Sequence, residues 1–370
     1  MAADSPAITP AFPDTVEGSW TPRSERWCSQ PPSEFSGLPG RPLFIGACPR
    51  SGTTLLRSLL DNHPDFAMPA ETDFVIPLWK LRAGFGDLNE RKNRRRIGEW
   101  IFKQPGHGGT RLRAGSFTRK QAVRRVADAP PTLGSIVAAC FGMHAEAHSK
   151  QRWGDKRPAY AGWLPMLFAL FPDAQVVNLI RDPRGAVASQ IPLGWGHEEA
   201  ALASAAVRWE YSVRRVDVFS RRLRPDQLLD LRYEDMVRDP GAALEQVCSF
   251  AGLRGGETIP AMIAAERRGK FRPGWHDKLS QPISTDSVER WRGKLDPHEI
   301  ALVEQVAEPF LHRFGYRSAA GDAAPTEADL SELKRQRRRR KRKWRRQGRD
   351  ELKRRHVLYR RPVAAVRPPG

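Results

Sequence analysis

Apolar residues in this chain fall into short runs separated by polar, Gly-bearing or Pro-bearing stretches. Residues 42–47, Pro-Leu-Phe-Ile-Gly-Ala, form an apolar run bounded by turn formers and predict a buried strand. Immediately after it Leu55, Leu56, Leu59 and Leu60 recur at helical spacing, so strand, Gly-containing loop and helix follow one another. The same grammar continues down the chain. It predicts helices over 134–148 and 163–171, a buried strand over 175–180, a long helix over 198–223, a short strand over 227–231 and a helix over 240–251. The charged Asp155-Lys-Arg-Pro158 predicts a loop, and the charged, partly Gly-rich residues 87–125 predict irregular connections and amphipathic helix at a rim or lid. Strands alternating with helices predict an α/β fold, a P-loop-like three-layer sandwich whose central, mainly parallel sheet is flanked by helices.

Composition divides the chain further. Residues 1–40 carry repeated Pro with Ser and Gly and neither period, which predicts a flexible lead-in to a domain over 41–316. Residues 317–333 are expected to be a linker and the start of a C-terminal helix, and 334–370 a strongly basic extension. The formal net charge of +20 is concentrated there: residues 334–361 hold 17 Lys plus Arg against 2 acidic residues. A nucleic-acid surface spread over the whole fold is therefore not implied. The extension alone is a candidate for an anionic membrane surface or another polyanion, against the plainer reading of a solvated run with almost no apolar stripe to bury. Cys28, Cys48, Cys140 and Cys248 are widely spaced, without CxxC or zinc-site spacing, so neither a disulfide framework nor a structural metal is expected. No basic n-region precedes an apolar stretch and no long apolar run occurs, which predicts a cytoplasmic protein, peripheral at the inner membrane surface if the extension binds lipid.

Three stretches carry candidate chemistry. Gly46-Ala-Cys-Pro-Arg-Ser-Gly-Thr-Thr54 lies between strand and helix, where backbone amides and the helix dipole favour an oxyanion. Gly52 permits a tight turn, Arg50 can fork onto anionic oxygens, and Ser51, Thr53 and Thr54 add hydroxyl donors. The bland alternative is a capped helix after a buried strand. A Walker A loop is excluded, because Ser51, Gly52 and Thr53 stand where Gly, Lys and a hydroxyl residue are required, which demotes ATP-dependent phosphotransfer. In the second stretch, Val177-Asn-Leu-Ile-Arg-Asp-Pro-Arg-Gly-Ala-Val-Ala-Ser189, Arg181 sits at a strand end and Ser189 eight residues later on the next helix, where both can converge on one anion. An ordinary Arg/Asp turn is the alternative. The third is Arg232-Tyr-Glu-Asp235 followed by Arg238-Asp-Pro240.

Together with Asp61-Asn-His-Pro64 and Ala70-Glu-Thr72, these motifs resemble PAPS-dependent sulfotransferases, in style closest to the tyrosylprotein and glycan branch. The resemblance covers residues 41–316 in ordered pieces and, without the signal-anchor of the animal Golgi enzymes, points to a soluble bacterial-type member. It implies that residues 50–54 hold the phosphosulfate, that Arg181 and Ser189 bind the 3′-phosphate, and that Tyr233 lies near the adenine. Ser280 and Lys294 would belong to a late loop closing over the nucleotide. Glu71 would be the general base and Arg50 with Lys156 the electrostatic clamp, with PAP as product and no metal required. His63 and His197 rank below Glu71, since neither lies within a phosphate motif. Asp73 stands where the tyrosylprotein branch has Arg, which speaks against an acidic peptide and leaves a glycan, lipid, phenol or secondary metabolite as acceptor, through a hydroxyl or an amine. A basic polyanion-binding adaptor that keeps the fold without chemistry is the remaining alternative.

Overall fold

The computed structural model describes residues 41–103, 112, 117–194, 201–266 and 283–360, the last fourteen of these in backbone only. The expected flexible lead-in, His197 and Ser280 lie outside the described residues.

Five parallel strands form the central sheet: β1 (Leu43–Ala47), β2 (Phe66–Ala67), β3 (Arg152–Lys156), β4 (Gln175–Ile180) and β5 (Leu228–Arg232), in the order β2-β3-β1-β4-β5. Alternation along β1 explains the three layers. Phe44 faces one side, in a core with Trp153, Phe171 and Val176, while Leu43 and Ile45 face the other, with Leu56, Leu59 and Val177. The helices Val75–Leu81, Arg91–Lys103, Arg119–Asp128, Leu133–Ala147 and Leu164–Leu170 contribute to the first core. Thr53–Asp61, Tyr233–Arg238, Pro240–Ala251 and Thr258–Glu266 cover the second face. The chain winds away from β1 towards β3 and then crosses to β4, so the carboxyl end of β1 is a topological switch point, where open α/β sheets bind ligands.

Three expectations need correction. Asp155-Lys156 is not loop: it completes β3, with Asp155 0% and Lys156 3% exposed, because the sheet buries charges that local polarity assigns to solvent. Residues 87–125 are not merely a rim, since the described parts are two helices packed on each other whose Ile97, Ile101, Phe102 and Val126 enter the core. The basic extension also has an inward face. It belongs to the helix Glu327–Arg360, whose Leu333 is buried against Val207 and Leu302, while Arg337 holds Glu210 through two bonds of 3.1 Å. Arg340 lies 4.4 Å over the Tyr211 ring and Arg215 lies 5.3 Å over Trp344. Guanidinium planes and their stems substitute for the missing aliphatic stripe.

Candidate active site

The site begins in the loop after β1. Arg50 (φ 70°) and Gly52 (φ 89°) both adopt left-handed backbone, which reverses the chain into the Thr53–Asp61 helix. A Cβ at Gly52 would stand 2.4 Å from Tyr233 Cδ2, so the loop needs glycine for conformation and for space. No side chain caps this helix and no acidic residue occupies its first turn, which leaves its N-terminal dipole available to an anion. Ser51 is fully buried, and its Oγ has no hydrogen-bond partner among the described residues.

From the β4 end, Arg181 donates from Nη1 to the Arg50 carbonyl (2.8 Å) and from Nη2 to the Ser287 carbonyl (2.7 Å). Its guanidinium lies 4.6 Å over the Tyr233 ring, while its buried Nε has no partner among the described residues. Arg50 Nε donates to Ser189 Oγ at 3.2 Å. Burial, reinforced by the neighbouring Arg181 charge, holds the Arg50 guanidinium below its ordinary pKa. Neither arginine has a carboxylate partner among the described residues. Two like charges, a buried hydroxyl and an uncapped helix terminus make a cradle suited to phosphate or sulfate oxygens.

The β3 end is built differently. Lys156 Nζ donates to Glu71 Oε2 (2.6 Å) and Thr54 Oγ1 (3.3 Å), joining the loop after β2 to the helix after β1. Its neighbours repeat the pairing: Thr72 Oγ1 donates to Asp155 Oδ2 (2.9 Å), and Arg157 pairs with Asp73 (3.0 Å). Three consecutive residues, 71–73, are thus stitched to three consecutive residues, 155–157. Asp155 Oδ2 also accepts from Tyr160 Oη at 2.5 Å, and burial pushes this carboxyl up to about 7 despite both hydroxyl donors.

The structure therefore brings Arg50, Ser51, Gly52, Thr53, Thr54, Glu71, Lys156, Arg181, Ser189 and Tyr233 to one end of the sheet, at the ends of β1 to β5 and the turns that follow them. Tyr233 packs on Gly52 and beneath Arg181, a placement that makes it a floor for the loop. Lys294 does not join the cluster by any described contact: it is exposed after the Arg290–Gly293 turn, and the same segment reaches Arg181 through the Ser287 carbonyl. His63 is wholly buried, with Nε2 on the Arg254 carbonyl and Nδ1 accepting from the Asp65 amide, and burial holds its pKa below the ordinary value. Sequence reasoning missed Thr72, Asp155 and Ser287. Adjacency to Glu71 and Lys156 was the only signal for the first two, and a backbone carbonyl leaves none for the third.

The residues fit an anionic nucleotide: the loop after β1 offers a cradle for an oxyanion, and Arg181 and Ser189, both in contact with Arg50, add a cation and a hydroxyl beside it. The sulfotransferase family profile matches residues 42–256. A putative protein-tyrosine sulfotransferase of Caenorhabditis briggsae is 23% identical over 285 residues, spanning 75% of this chain and 90% of that protein. The nodulation protein NoeE of Sinorhizobium fredii is 25% identical over 321 residues, spanning 80% of this chain and 71% of that protein. Among solved structures, the sulfotransferase domain from the Synechococcus PCC 7002 olefin synthase superposes with a TM-score of 0.54 at 25% identity, covering 73% of this chain and 95% of that domain. With its profile match spanning more than half the sequence, and its sheet switch point carrying the matching anion loop, the chain belongs to the sulfotransferase family, whose members move a sulfuryl group from PAPS to an acceptor.

Proposed function

We propose that this chain sulfates a hydroxyl, or an amine, of a glycan, lipid, phenolic or secondary-metabolite acceptor, with Glu71 as general base and Arg50 and Lys156 as the clamp on the transferring group. The observation that carries this reading is the Glu71–Lys156–Thr54 chain standing beside the Arg50–Arg181 cradle. When bound, PAPS supplies a sulfuryl group whose bond to the bridging phosphate oxygen breaks, the electron pair leaving with PAP. Glu71 takes the proton of the acceptor as its oxygen or nitrogen bonds to sulfur. Lys156, released from the carboxylate as that carboxylate is neutralised, meets the charge growing on the leaving oxygens together with Arg50. Arg181 and Ser189 hold the 3′-phosphate, and Thr53 and Thr54 support the 5′ end.

The tyrosylprotein branch is favoured by the names of several relatives but opposed by Asp73, which is tied to Arg157 and presents an acid where an acidic peptide needs a cation. A non-peptide acceptor accommodates Asp73 and needs only the family, not the tyrosylprotein branch, from the relatives. Calorimetric titration with PAP, using 5′-ADP as control, tests the donor site. Selective PAP binding that weakens about 100-fold in Arg181→Ala, as expected for a lost charge-assisted pair of bonds, supports the assignment. Equal affinity for both nucleotides overturns it.

A second surface is proposed for the extension. Every exposed position from 334 to 346 carries Lys or Arg, while positions 333, 337, 340 and 344 turn inward against the fold. Over residues 334–346, about 20 Å of this helix, cations line the side turned from the fold, which fits a flat anionic membrane surface. Co-sedimentation with phosphatidylglycerol-containing vesicles, lost on phosphatidylcholine vesicles and at high salt, supports this. Equal pelleting with both, or binding to heparin and not to vesicles, overturns it.

A further inference from the structure

We infer that Asp155 is a positioning residue for the general base, acting through Thr72 to hold the segment that carries Glu71. The inference rests on the sulfotransferase reading for its consequence in turnover, but the contact itself stands on geometry alone.

Successive residues of a strand point to opposite faces of the sheet, so Lys156 reaches Glu71 from one side of β3 while Asp155 reaches Thr72 from the other. Residues 71 and 72 are therefore gripped from both faces of one strand end. The Lys156–Glu71 pair holds the base by the tip of a long side chain that is more than a third exposed and keeps torsional freedom along its stem. Thr72 adds a hold on the backbone: it is fully buried, and its short, β-branched side chain holds Oγ1 on Asp155 Oδ2 only if its own backbone is in place. Tyr160, also fully buried, donates to the same oxygen and locks the carboxylate against the Pro158–Gly162 turn. Asp155 thereby ties the base loop, strand β3 and the turn after it into one unit.

The environment is costly, which separates positioning from simple stabilisation. Asp155 is wholly buried and Oδ1 has no hydrogen-bond partner among the described residues. The groups around it are the Tyr160 and Thr72 hydroxyls, the Glu71 carboxylate, which opposes its ionisation, and the Lys156 ammonium, which favours it. The balance leaves the carboxyl raised to about 7, so charge at this position works against folding. An isosteric amide would relieve that cost while weakening acceptance from two hydroxyls.

The test compares Asp155→Asn, Thr72→Val and Thr72→Ser with wild type, using PAP for binding and radiolabelled PAPS with para-nitrophenol, N-acetylglucosamine and dodecanol for turnover. Asp155→Asn and Thr72→Val are expected to lower kcat about 10- to 100-fold, the scale of a misplaced catalytic group, with PAP affinity and the KM for PAPS within about twofold of wild type. Thr72→Ser keeps the hydroxyl and is expected to restore most of the loss. Amide hydrogen exchange across residues 70–74 is expected to accelerate in Asp155→Asn and Thr72→Val, a readout that needs no acceptor. Unchanged exchange in both variants overturns the inference, as does near-wild-type kcat in both. If wild type fails to bind PAP, the sulfotransferase reading fails, while the exchange comparison still decides whether Asp155 holds the loop.

Discussion

The β3 and β4 ends of the sheet lie on either side of β1 and solve opposite electrostatic problems. At β3, opposite charges and hydroxyls pair off residue by residue, Glu71 with Lys156, Thr72 with Asp155 and Asp73 with Arg157. At β4, two arginines crowd together, with Ser51 Oγ and Arg181 Nε buried and unpartnered among the described residues. Buried polar groups are ordinarily satisfied, so an unsatisfied cluster of one sign marks where a ligand contributes the missing partners. The β3 cluster differs in charge balance rather than in saturation, since Asp155 Oδ1 and Arg157 Nη1 are themselves buried without a hydrogen-bond partner among the described residues. On the proposed reading the β3 side carries the general base and the β4 side the 3′-phosphate, with Arg50 in the loop after β1 serving both.

Breaking the β3 side should give the largest effect on turnover. Glu71→Gln is expected to lower kcat about 10²- to 10⁴-fold, as for loss of a general base, with PAP affinity retained in calorimetry. A comparable loss of PAP affinity would erase the division between the two ends. On the β4 side, Gly52→Ala forces an L side chain into left-handed backbone against Tyr233, a conformational cost of about 1–2 kcal/mol before any clash. PAP affinity should fall about 10-fold or more as the loop shifts. Ser189→Ala removes one hydroxyl from Arg50 and from the proposed 3′-phosphate site, and an affinity loss of about 3- to 10-fold is expected. The same variant should leave 5′-ADP binding nearly unchanged.

The remaining effect is on stability and sharpens the β3 side. The folded Asp155 carboxyl, raised to about 7, lies above the ordinary aspartate value of about 3.9 expected for the unfolded chain. Between those values the folded state keeps a proton that the unfolded state has lost. That contribution is complete on the acid side and disappears as pH rises through the folded value. Asp155→Asn lacks it, so its Tm relative to wild type should increase between about pH 5 and about pH 8. A constant difference across that range would place the titration elsewhere.

Much of this was legible before any tertiary structure. The β1 run, the Leu55–Leu60 spacing, the β4 strand and the helix over 240–251 follow from local period and turn chemistry, and all lie where expected. The residues around Arg50, Arg181 and Ser189 were legible for the same reason, since anion loops sit at strand-to-helix junctions that the pattern already marks. Asp155 and Lys156 were misread because three charged residues before a proline look like solvent-facing loop. Only pairing with β1, in a register that sets Phe44 opposite Asp155 and Ile45 opposite Lys156, buries them. The packing of the basic extension was equally hidden, because arginine reads as solvent until an aromatic ring and a carboxylate face it.

The sequence by itself determined the alternation of strands and helices and set two candidate anion motifs at strand-to-helix junctions, because these depend on neighbours within a few residues. The tertiary structure alone decided which of them meet. Glu71 and Lys156 are 85 residues apart, Thr72 and Asp155 are 83, and Arg50 and Ser189 are 139. Such contacts arise from strand order and register, which are fixed by burial summed over the whole sheet and leave no periodic trace in the short segments they join.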